Sequence, residues 1–115
     1  MKEDKLTDLS MQLSVDVLKL TKELRVRHEN VISNQIGRSA TSVCANIAES
    51  KYGHSRADFI AKLEIALKEA NETYYWLRLL HQTDYLTDKE FKSMETDIDE
   101  IIAILVSICK KTNQK

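Results

Sequence analysis

Residues 86–109 read LTDKEFKSMETDIDEIIAILVSIC. Thr87 and Glu90 stand three apart, the spacing at which each side chain can cap the other's backbone N–H at a helix start. Leu86 and Phe91 occupy the two positions of a hydrophobic staple around them. Phe91, Met94, Ile98, Ile101, Leu105 and Ile108 then step by three or four, which predicts one helix over about 88–112. Asp88 and Glu90 at its start and Lys110 and Lys111 at its end suit the helix dipole. No stretch of useful length fits the period of a strand.

Moving back along the chain, Thr83–Leu86 is a joint too short for anything but antiparallel neighbours. Before it, Ser55 and Asp58 form a Ser-x-x-Asp start signal. Phe59, Leu63, Ala66, Ala70, Thr73, Leu77 and Leu80 follow at heptad spacing, predicting a helix over 56–82. Residues 51–55 (KYGHS) make the preceding joint, where Gly53 is free to adopt positive φ. Over 31–51, Ile32, Ile36, Ala40, Val43 and Ile47 form an apolar line. Over 5–28, Leu6, Leu9, Leu13, Val17, Leu20 and Leu24 form another, about six turns long. Four helices with short joints predict an all-α, up-down-up-down four-helix bundle filling 1–115 as one domain.

The second helix carries a further pattern. Gln35, Ser39, Ser42, Asn46 and Glu49 step by four, three, four and three, a polar stripe beside the apolar one. Gly37, Ser39, Ala40, Ser42, Cys44, Ala45 and Ala48 make the helix small, which permits close approach by another helix. Gly37 costs about 1 kcal/mol relative to alanine in a helix, and close packing is its expected reason. If the stripe is covered, Arg38, Ser39, Ser42, Asn46 and Glu49 need partners; Glu69, Glu72 and Thr73 on the third helix are candidates. Arg38 can meet a carboxylate with two parallel bonds. Gln35, Arg38, Ser39, Ser42, Asn46, Glu49, Glu69 and Glu72 are therefore expected to form a structural or interface polar network.

Some apolar residues exceed what a lone bundle needs. Ile102, Val106 and Cys109 form a second line on the fourth helix, and Ile65, Trp76 and Leu79 sit off the seam of the third. This surplus predicts burial by another subunit.

Composition limits the function classes. The 115 residues hold 17 Lys+Arg against 18 Asp+Glu, a net charge of -1. The balance is local as well. Residues 1–30 carry six basic and six acidic groups, 31–55 two and one, 56–86 four and five, and 87–115 five and six. No segment has the basic footprint of a protein that binds nucleic acid by charge alone. Lys110, Lys111 and Lys115 can reach phosphates, but a solvated helix end is the simpler reading. No signal-like or membrane-spanning run occurs, which predicts a cytoplasmic protein without a membrane partner. Cys44 and Cys109 share no C-x-x-C spacing and are expected to be reduced, small and buried.

Catalytic signatures are absent. His28, His54 and His81 follow Arg25, Lys51 and Arg78 at i-3, so the Glu-x-x-His pairs of di-iron bundles are missing. These three histidines are expected at the surface. There is no phosphate-cradling glycine loop, no G-x-S-x-G and no H-E-x-x-H. Ser39 and Ser42 lack a base on their own helix other than Glu49. Glu64, Glu69 and Glu72 put a cluster of carboxylates on the third helix. Paired carboxylates can do acid-base work, but Glu69 and Glu72 are read as partly buried hydrogen-bond acceptors or a solvated face. No cofactor, metal or catalytic residue is expected.

The run from Gln35 to Glu49, QIGRSATSVCANIAE, resembles the signature helix of the 23S rRNA intervening-sequence protein family. Asp58-Phe59 and the run from Ala66 to Leu77, ALKEANETYYWL, resemble its second signature. Gly37 and Ser50 depart from it in packing detail. Members are small four-helix bundles without an established molecular activity, and the bundle resembles the pentameric accessory protein of diversity-generating retroelements. The resemblance implies a ring-like homopentamer with the signature helix, Glu69 and Glu72 near contacts. The resulting expectation is a non-catalytic oligomeric scaffold or adapter; the alternative is an accessory protein associated with RNA or another nucleic acid.

Overall fold

The computed structural model describes residues 2–113, with side chains placed over 5–110. Lys115 and the side chain of Lys111 lie outside the described residues. Four helices follow one another: α1 (Lys2–Val26), α2 (Val31–Ser50), α3 (Arg56–Gln82) and α4 (Asp88–Asn113). There is no strand among the described residues. Among the described residues, each helix packs on its neighbours in the order α1, α2, α3, α4 and back to α1. That is an antiparallel bundle, elongated to 47 × 22 × 19 Å. The α2/α3 seam is the most extensive and the α1/α4 seam the least.

The apolar lines meet in one core. Leu13, Val17 and Leu24 of α1, Ile36 and Val43 of α2, Leu63 and Leu77 of α3, and Ile98, Ile101 and Leu105 of α4 are buried together. Phe91, Met94 and Ile108 pack against them while partly exposed.

The start of α4 has its full capping box. Thr87 Oγ1 accepts from the Glu90 N–H at 3.1 Å, and Glu90 Oε1 accepts from the Thr87 N–H at 2.9 Å. Leu86 is buried and Phe91 lies against the same core, as a staple requires. At α3, Ser55 Oγ accepts from the Asp58 N–H at 3.1 Å. The start of α2 is capped by a residue the sequence pattern did not single out. Glu29 accepts from the N–H groups of Ile32 and Ser33 at 3.1 and 2.8 Å, whereas Asn30 gives no side-chain cap. A carboxylate there satisfies two orphan donors and answers the helix dipole.

Both glycine expectations change. Gly53 is not at positive φ. Its role is close approach, since a Cβ would stand 3.1 Å from the Phe59 N and 3.2 Å from the Asp58 Cβ. The left-handed positions are instead His28 (φ 65°) and Asp84 (φ 66°). At each, the same pair of turn bonds closes a helix. His28 N–H donates to Arg25 O and Glu29 N–H to Leu24 O; Asp84 N–H donates to His81 O and Tyr85 N–H to Leu80 O. These are Schellman turns built without glycine. Arg27 links them, donating to Tyr85 O at 3.0 Å and Asp84 O at 3.3 Å while its guanidinium lies 4.5 Å from the Tyr85 ring centre.

Gly37 has no close neighbour that demands it. A Cβ there would meet Thr21 Cγ2 at 3.6 Å, an ordinary contact. Gly37→Ala is therefore expected to raise stability by about 0.5–1 kcal/mol through helix propensity, read as a higher urea midpoint at unchanged m-value.

Four hydroxyl residues, Ser10, Ser14, Thr21 and Ser33, are buried although they lie outside the apolar lines. Each hydroxyl donates to a backbone carbonyl. Ser14 reaches Ala40 O on α2 at 3.3 Å, and Ser33 reaches Thr21 O on α1 at 3.3 Å. Small self-satisfied side chains let α1 and α2 approach without leaving a polar group unpaired.

The α1/α4 seam is less favourable. Burial first, then the Asp16 and Glu100 carboxylates, push the Asp97 carboxyl above its ordinary value of 3.8. Lys5 pairs with Glu100 at 2.8 Å. A carboxyl with a raised folded pKa binds its proton more tightly in the native state. Its contribution to stability therefore falls as pH rises from 3.8 through the raised value. Asp97→Asn is expected to stabilise the protein at pH 7 and to have little effect below pH 3.8, as compared by urea unfolding at the two pH values.

Candidate functional site

The polar stripe of α2 separates into tiers along the α2/α3 seam. At its centre Arg38 reaches across to α3. Its Nη1 donates to Glu69 Oε2 at 2.8 Å, and its Nη2 donates to Glu72 Oε2. The arginine thus bridges two carboxylates instead of gripping one in parallel. Glu72 Oε2 also accepts from Trp76 Nε1 at 3.0 Å, and Gln35 Oε1 accepts from Arg38 Nε at 3.4 Å. Glu69 is buried, its side chain 11% exposed, while the Arg38 side chain is 50% exposed. Periodicity explains the group: Glu69, Glu72 and Trp76 lie three and four apart, so one flank of α3 presents all three to α2.

Deeper in the seam, Ser39 Oγ and Thr73 Oγ1 share a hydrogen bond of 2.7 Å, with both residues fully buried. Thr73 Oγ1 donates on to Glu69 O at 2.9 Å. Ser39 also lies 3.3 Å from Ile36 O, so its hydroxyl meets only other hydroxyl and carbonyl oxygens. That environment supplies no base to make it a nucleophile.

The remaining stripe residues do not join this group. Asn46 Nδ2 donates to Ser42 Oγ at 3.1 Å and Ser42 O at 2.9 Å, a pair within α2. Glu49 pairs with Lys62 at 3.0 Å in solvent. Glu64 is exposed on α3 away from Glu69 and Glu72. Arg38, Glu69, Glu72 and Gln35 are brought together, Ser39 adjoins them through Thr73, and Ser42, Asn46 and Glu49 stand apart. Trp76 joins the site as a donor, although its spacing marked it only as an apolar residue off the seam.

The other reactive residues are placed unremarkably. Cys109 is buried, and burial with the Glu64 carboxylate pushes its thiol up, away from the reactive thiolate. Cys44 is only half-buried, against the expectation of a buried thiol. His28 and His54 are exposed. His81 departs from the surface expectation: it is half-buried, stacked on Phe91 at 4.4 Å and bonded to Asp88 at 2.7 Å. Among the described residues no three His, Cys, Asp or Glu side chains converge on a metal position, and no helix is long and apolar enough to cross a membrane.

The model of the 23S rRNA-intervening sequence protein family matches residues 2–107. The chain belongs to that family. A crystal structure of a protein of unknown function from the S23 ribosomal protein family of Bacteroides thetaiotaomicron is similar, with 49% identity and a TM-score of 0.92. The match covers 96% of this chain and 99% of that one. No curated protein matches. Both signature runs of this intervening-sequence family member meet in the Arg38 clasp, since Arg38 and Ser39 come from the first and Glu69, Glu72, Thr73 and Trp76 from the second.

Proposed function

We propose that this family member is a non-catalytic scaffold or adapter that works in the cytoplasm as a ring-like homo-oligomer, a pentamer by resemblance. The observation that carries the reading is apolar surface left over after the core is complete. Met11, Val15 and Leu18 on α1 and Ile65, Tyr75 and Leu79 on α3 are each 39–61% exposed. Large apolar side chains left in water on two helices of one domain mark interaction surfaces. The charged cluster supports the non-catalytic part. Arg38, Glu69, Glu72 and Trp76 bond one another, so the clasp ties α2 to α3 and fixes helix register, a structural use of these groups.

Light scattering at low micromolar protein tests the assembly. A mass near five times the 13.2 kDa chain is expected. A mass of one chain overturns the reading. Binding to RNA with an affinity that falls steeply with salt would favour the nucleic-acid accessory role instead.

A further inference from the structure

We draw no further inference here: the strongest candidate, the furrow between α1 and α4 lined by Lys19, Leu20, Glu23, Leu86, Lys89 and Ser93, carries both signs of charge, and nothing in the structure shows what covers it.

Discussion

Leu77→Ala is expected to lower stability by about 2–5 kcal/mol, seen as a fall in the urea midpoint. Leu77 is fully buried on α3 among residues from the neighbouring helices. Truncation removes apolar contacts and leaves a cavity that rigid helices can only partly close. Leu79, two residues on, lies on the opposite flank and is 41% exposed. Leu79→Ala in a dissociated chain should cost under about 1 kcal/mol, because most surface substitutions do. Equal losses at both positions would contradict the separation between the core seam and the outer face of α3.

Arg38→Met carries the second large effect, an expected loss of about 1–3 kcal/mol. The methionine keeps much of the stem but removes the charge between Glu69 and Glu72. Glu69 is then a buried carboxylate facing a second one without a cation. Half of Arg38 is in water, which holds the loss below that of a fully buried ion pair. Adding Glu69→Gln in the Arg38→Met background should recover part of the loss, because the neutral amide no longer needs the cation. A double-mutant cycle in urea reads the coupling. Strict additivity would show that the clasp contributes no pairing energy.

Helices α3 and α4 were legible from their ends because their caps are local: Ser55 with Asp58 and Thr87 with Glu90 act within one turn. The ends of α1 and α3 were harder. Their left-handed residues are His28 and Asp84, and neither chemistry announces a Schellman turn as glycine does. Gly53 drew the conformational reading instead, although its reason is the nearby α3 backbone.

The polar stripe was visible as a period, and its tertiary partition was not. Arg38 and Glu69 were paired by residue type across α2 and α3, whereas the separation of Ser42, Asn46 and Glu49 depends on the seam's path between the helices. The hydroxyls at Ser10, Ser14, Thr21 and Ser33 escaped because a buried serine bonded to a helix carbonyl looks, in sequence, like a solvent-facing one.

The Arg27 link gives the bundle a polarity. It ties the α1/α2 and α3/α4 joints into one end, and the outer ends of α1 and α4 emerge at the other, beside the exposed joint at residues 51–55. A domain fused to either helix end would therefore leave on the same rim. Repeated around an assembly with parallel axes, that direction would give a display platform with a crowded face carrying every attachment and a smooth face carrying none.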